Sequence, residues 1–281
     1  MSKHVIYSRN ANHSALSLQQ VQTLTPAAFS SSKADRLTDR YVSLNTADMI
    51  PVLADYGYAP VQAAQKRSRV EGGASHASHM IAFAKKPNEL FDNTDTIRPE
   101  IILYNSHDGT GAVKLFAGCF RFICSNGIVA GEGFSSRVYH SKALTGFEEM
   151  LRKTVDTLPT LMERIERLRG VHLTIDDAYN IAERSVATRW DFYDNQTKGV
   201  YATETTVGNV LKITRNEDKG MDAFTVFNRI QEGVVRGNAM VKSLNERHPN
   251  GVMRKARNIA SIKEHVRINS ELWNIVDEYA A

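Results

Sequence analysis

Glu100-Ile101-Ile102-Leu103-Tyr104-Asn105-Ser106-His107-Asp108-Gly109-Thr110-Gly111, continued by Ala112-Val113-Lys114-Leu115-Phe116-Ala117-Gly118-Cys119-Phe120-Arg121-Phe122-Ile123-Cys124-Ser125-Asn126-Gly127, is the stretch on which the fold turns. Asp-Gly and Asn-Gly are the strongest short hairpin signals, because glycine takes the positive φ that tight turns need. They bracket a strand with Phe116, Gly118, Phe120, Phe122 and Cys124 at even positions and Val113, Leu115, Ala117, Cys119, Arg121 and Ile123 at odd ones. Both faces are largely apolar, so this is expected to be a central strand covered on both sides. Ile128-Val129-Ala130-Gly131 begins the next strand of a meander.

Upstream, Tyr41-Val42-Ser43-Leu44 reads as a strand, followed by a helix from Ala47 to Tyr56 between an Asn45 cap and Gly57. Residues 60–65 and 79–84 read as strands flanking a polar loop. Downstream the period becomes helical, with Phe147, Leu151, Val155, Leu158, Met162, Ile165 and Leu168 on one stripe. Pro159 lies within it and is expected to kink or divide the helix. Thr174-x-x-Asp177 reads as a capping box opening a second helix through about Arg189. Ala223, Phe227, Ile230 and Val234 mark a third helix, and Ile259, Ile262, Val266, Trp273 and Val276 a terminal one. The expected fold class is α+β: a β-rich domain with one short helix over residues 1–141, and a helical domain over 142–281.

Composition excludes several classes. Of 281 residues, 42% are hydrophobic and 23% charged, which fits a globular chain rather than a disordered one. No apolar run approaches the roughly 20 residues of a membrane span, and residues 1–9 lack the apolar core of a signal peptide. The two cysteines, Cys119 and Cys124, are five apart in one strand and so point to opposite faces, as buried thiols of a reducing compartment. A cytoplasmic protein without a membrane partner is expected. No Walker loop, dinucleotide fingerprint or zinc-ligand spacing occurs, so neither cofactor nor metal is expected. The formal charge of +4, from 35 basic and 31 acidic residues, hints at an anionic partner.

Several segments together carry a resemblance. Gln65-x-Arg67-x-Arg69, His79-Met80-Ile81, Asn105-Ser106-His107-Asp108-Gly109-Thr110 and Phe120-Arg121-Phe122-Ile123-Cys124-Ser125-Asn126-Gly127 come first. Phe227-Asn228-Arg229-Ile230-Gln231-Glu232-Gly233 and Asn269-x-x-Leu272-Trp273 follow. In this order they resemble the phage- and plasmid-like proteins catalogued as domain of unknown function 932, from about Tyr41 to Trp273. The segment after Arg69 is richer in Gly, Ser and His than that pattern, and Gly233 stands where Asn is expected. The resemblance implies a mobile element (phage, prophage or plasmid) and supplies no activity.

Candidate chemistry therefore comes from the residues. Arg121 falls on a face otherwise made of Ala117, Cys119 and Ile123, where a guanidinium must be paired. Its partner is either Asp108, in a structural ion pair, or a ligand phosphate, with Ser106 and Asn126 as neighbouring donors. His107 and Asp108 offer a base and its orienter, or two metal ligands, for a hydrolase or nuclease with Arg121 as anion stabiliser; a tight hydrogen-bonded turn is the alternative. Lys66, Arg67 and Arg69 close a strand whose neighbourhood holds Tyr58, Phe83 and Tyr104, a combination suited to backbone neutralisation and base stacking; each aromatic taken singly reads rather as core. Lys85-Lys86 and Arg254-Lys255-Ala256-Arg257 read as solvated loops or helix faces. Arg229, Glu232 and Arg236 share a helix face as a solvated ion-pair ladder or a subunit contact. The leading expectation is a non-enzymatic, nucleic-acid-binding protein favouring single-stranded DNA, acting as a homo-oligomer. An enzyme, or an inhibitor that binds a host defence protein, are the alternatives.

Overall fold

The computed structural model describes residues 6–9, 15–30, 37, 44–67, 73–85, 97–109, 112–121, 126–129, 135–138, 145–192 and 199–280. Its first half builds an antiparallel sheet from β1 (Ile6–Arg9), β2 (Tyr58–Gln65), β3 (His79–Lys85), β4 (Ile97–Asn105), β5 (Val113–Arg121), β6 (Asn126–Val129) and β7 (Ser135–Val138). The order is β1-β2-β3-β4-β5-β6. Both β6 and β7 pair with β5, β6 at Gly118–Arg121 and β7 at Val113–Phe116, so they share one of its edges. Two short helices accompany the sheet, α1 (Leu18–Leu24) with a Ser17/Gln20 capping box and α2 (Thr46–Asp55), capped by Asn45 on Ala47 N at 3.2 Å. The expected strand at 41–44 falls mostly outside the described residues.

The central strands are covered on both faces, as the doubly apolar pattern requires. Ala63, Ile81, Leu103 and Leu115 form one cross-strand row without solvent exposure. Gln62, Ala82, Ile102 and Phe116 form the adjacent row on the opposite face, and all four are buried. Gly109, at φ +75°, provides the turn between β4 and β5.

The second half is helical: α3 (Thr145–Gly170), α4 (Ile175–Ala187), α5 (Glu204–Val210), α6 (Ala223–Arg236) and α7 (Ile262–Asp277). The fold is α+β. Pro159 lies inside α3 without dividing it. Thr154 and Thr157 donate their hydroxyls to Met150 O and Thr154 O, at 2.9 and 2.7 Å, so side chains supplement the ladder in the turns before the proline. Thr174 and Asp177 form the capping box of α4.

The helical half also contains a sheet that periodicity does not announce, β8 (Gly199–Tyr201), β9 (Met240–Asn245) and β10 (His248–Lys255), in the order β10-β9-β8. Around it, Phe227 meets Trp273 edge-to-face at 6.1 Å and Phe224 at 6.4 Å. The chain divides into two compact units, residues 1–161 with 260–263 and residues 162–259 with 264–281. No helix among the described residues is long and apolar enough to cross a membrane.

Candidate functional site

The turn motif ends a polar seam. Antiparallel register aligns Gln65, His79 and Asn105 in one row across β2, β3 and β4. Each is buried, Gln65 fastening two segments and His79 and Asn105 sharing Thr46. Gln65 accepts from Ala27 N and donates to Ala74 O, both at 2.8 Å. Asn105 donates to Leu44 O at 3.0 Å and Thr46 Oγ1 at 2.9 Å, and accepts from Ser106 N at 2.7 Å. His79 lies 3.0 Å from Ala77 O through Nδ1 and 2.7 Å from Thr46 Oγ1 through Nε2. A carbonyl can only accept, so Nδ1 carries a proton, and Thr46 Oγ1 links Nε2 to the Asn105 amide.

His107 and Ser106 are likewise without exposure. The His107 ring lies 5.5 Å from that of His79, tilted by 39°. Ser106 donates its hydroxyl to Asp108 Oδ1 at 2.5 Å, so that donor serves the turn. The neighbouring Tyr104 hydroxyl is pushed above its ordinary value, chiefly by burial and also by the Asp108 carboxylate, with the Ser78 hydrogen bond opposing. Together these contacts make a closed, hydrogen-bonded turn.

The other first-half candidates separate. Lys66 and Arg67 are exposed just beyond β2, where Lys66 N extends the ladder to Ser78 O at 2.9 Å. Arg69 lies outside the described residues. Arg121 and Asn126 are backbone neighbours across β5 and β6; their side chains lie outside those described. The described buried ion pair of this sheet is on β4, Arg98 to Glu100 at 2.8 Å, two residues apart on one face. Tyr58, Phe83 and Tyr104 are all buried, so of their two readings, stacking faces or core, they belong to the core.

In the second unit the ion-pair ladder is also corrected. Arg229 is buried and donates through Nε to Asp218 O at 2.6 Å and through Nη2 to Gly220 O. Glu232 pairs with Arg215 at 2.6 Å instead, and accepts from Asn238 at 3.0 Å. The two later motifs meet in this core. Gln231 donates to Asn269 Oδ1 at 2.6 Å, and Phe227 packs on Trp273. Asn269 in turn donates to His265 Nδ1 at 3.2 Å, which leaves that imidazole neutral with its proton on Nε2. Desolvation and the Arg236 guanidinium push His265 down to about 4.

What sequence reading missed is the surface around β9 and β10. Every residue of β10 except Gly251 is exposed, and among the described residues the strand is paired on one side only, to β9. Arg247, Arg254, Lys255 and Arg257 are exposed here; Arg254 and Lys255 end the strand, while Ala256 and Arg257 lie in the segment just beyond it. Pro249 and Gly251 disguise the strand, while the local excess of cations over Glu246 was the available signal.

"UPF0380 protein YafZ" of Escherichia coli (strain K12) is 28% identical over 266 residues, covering 92% of this chain and 89% of its own. "UPF0380 protein YfjQ" of the same organism matches to the same extent, 28% over 266 residues. No solved structure matches. The family model described as Domain of unknown function (DUF932) matches residues 35–273, and the chain belongs to that family.

Proposed function

We propose that the protein binds nucleic acid, favouring single-stranded DNA, without catalysing a reaction on it, in the setting of the phage or plasmid that the family resemblance implies. The observation that carries this reading is the β9–β10 hairpin. Arg247, Arg254 and Lys255 are exposed along it and Arg257 just beyond it, in a chain of net charge +4. Between them Val252 and Met253 are 39% and 37% exposed. Cations neutralise a phosphate backbone, and accessible apolar side chains favour a strand whose bases are unpaired. Lys66 and Arg67 extend the basic surface of the first unit, with Arg69, Arg121 and Asn126 proposed as further contacts. Ser106 acts from within, by holding the turn.

Fluorescence anisotropy with a labelled oligothymidylate tests the reading. Four such contacts at ~0.7 each give a slope of log affinity against log salt of at least about −2.8. Affinity then falls about fiftyfold between roughly 50 and 200 mM salt. No binding at micromolar protein, or binding indifferent to salt, overturns it.

A further inference from the structure

At the base of the hairpin, the end of α5, the second half of α6 and the last residue of β10 enclose a cleft of about 330 Å³. That is at the lower end of the roughly 300–1,000 Å³ typical of small-ligand sites. Its floor exists because residue 233 has no side chain. A Cβ on Gly233 would lie 2.6 Å from Val210 Cγ1 and 3.2 Å from Val210 Cα, so only glycine lets α5 and α6 pack this closely. One turn earlier, Arg229 is 7% exposed and held by two backbone carbonyls, a cation fixed in the lining.

The charge of the lining is uneven. Its carboxylate, Glu232, pairs with Arg215 at 2.6 Å and is further held by Asn238; Arg215 also reaches Asp218 at 3.4 Å, and the Asp218 and Asp222 carboxylates act on Arg229 from behind the lining. Lys212 and Lys255, both exposed, make no ion pair with a described residue. Two ammonium groups thus share the cleft with an immobilised guanidinium, and Val210 supplies an apolar wall. A compact, multiply charged anion attached to a partly apolar body fits this arrangement, and lysine is a common point-charge partner of phosphate.

We propose that the cleft binds the phosphate of a nucleotide, Lys212 and Lys255 contacting its oxygens over the fixed positive charge of Arg229. This deepens the nucleic-acid reading and rests on it where the nucleotide belongs to a strand; the phosphate chemistry is the same for a free nucleotide. A competing role exists for Lys212, which follows the C-terminus of α5 and there complements the last carbonyls.

The test compares the full chain with its K212Q/K255Q and K212R/K255R variants. Readouts are oligothymidylate affinity at several salt concentrations, binding of thymidine 5′-triphosphate, and melting temperature. The expected result is at least a tenfold loss of oligonucleotide affinity in the Gln variant at low salt. Its salt slope becomes shallower by about 1.4, the Arg variant retains binding, and all three melt together. Triphosphate that binds the wild type and competes with the strand, but does not bind the Gln variant, identifies the free nucleotide as a second source of the phosphate. If wild type and Gln variant bind the strand with equal affinity and slope, the cleft is not the site and the nucleic-acid reading stands. A lowered melting temperature with unchanged binding likewise overturns the proposal, in favour of the helix-end role. If wild type binds triphosphate but no strand, and the Gln variant binds neither, the cleft stands and the nucleic-acid reading falls. Absence of both ligands from the wild type overturns both.

Discussion

Gly233 carries two opposing effects, and their sizes decide the outcome of replacing it. In a helix interior alanine is favoured over glycine by about 1 kcal/mol. Against that, a Cβ there would lie 2.6 Å from Val210 Cγ1 and 3.0 Å from its Cβ. Val210 is β-branched with one strongly preferred helical rotamer, so it cannot swing aside, and overpacking of this kind costs about 1–3 kcal/mol. Gly233→Ala is therefore expected to lower the midpoint of urea unfolding, and Gly233→Asn, the residue expected from the family pattern, to lower it further. His265 supplies a different single-residue effect. Its folded-state value is depressed to about 4, while the unfolded chain protonates near the ordinary ~6.5. Above that pH both states are neutral; as pH falls through the interval only the unfolded state gains the proton. Stability should then decline between about pH 6.5 and 4, by at most about 1.4 kcal/mol per pH unit from this group. Unfolding curves at intervals across that range check it, and His265→Gln should remove this part of the acid dependence.

Elements differ in how openly their sequence declares them. The β4–β5 hairpin is legible because an Asp-Gly turn joins two apolar runs, and α4 because its capping box precedes an amphipathic helix. β10 is not, since Pro249 and Gly251 imitate a loop and its residues face solvent on both sides. Pro159 misleads in the opposite direction, because helix propensity on either side outweighs one missing donor within 26 residues. The connection from β10 to α7 is held by contacts that no local pattern reveals. Arg189 stacks on Trp190 at 4.5 Å and donates to Val234 O and Arg257 O. Ala256 N reaches Ala239 O at 2.8 Å, and Ile259 N reaches Val235 O at 3.2 Å. Gly237, at φ +80°, lets the chain pass: a Cβ there would lie 2.4 Å from the Arg257 carbonyl carbon. A lysine at 189 keeps the charge and loses the planar fork that reaches two carbonyls. Arg189→Lys should therefore destabilise by about 1–3 kcal/mol in denaturant melts, while Gly237→Ala, combining strain with a backbone clash, should cost more.

Among the described residues, the motifs that carry the family resemblance lie largely inside. Gln65, His79 and Asn105 are far apart in sequence and become one row only through strand register, so their common role could not be read before the sheet was seen. Gln231 and Asn269, or Phe227 and Trp273, pair across the second unit in the same way. Such residues hold covering segments to a sheet or helices to each other, and the exposed cations proposed to meet nucleic acid are a separate set. The two classes should therefore separate experimentally. Asn105→Ala removes the donor to Leu44 O and Thr46 and the acceptor of Ser106 N, and leaving buried groups unsatisfied costs about 1–3 kcal/mol each. Its melting temperature should fall, while oligonucleotide affinity, measured well below that melt, keeps the wild-type salt slope. R247Q/R254Q, exposed on the hairpin, should do the reverse, melting with the wild type while its slope becomes shallower by about 1.4. Loss of binding in a stably folded Asn105→Ala protein, with R247Q/R254Q unaffected, would move the ligand site from the hairpin to the buried seam.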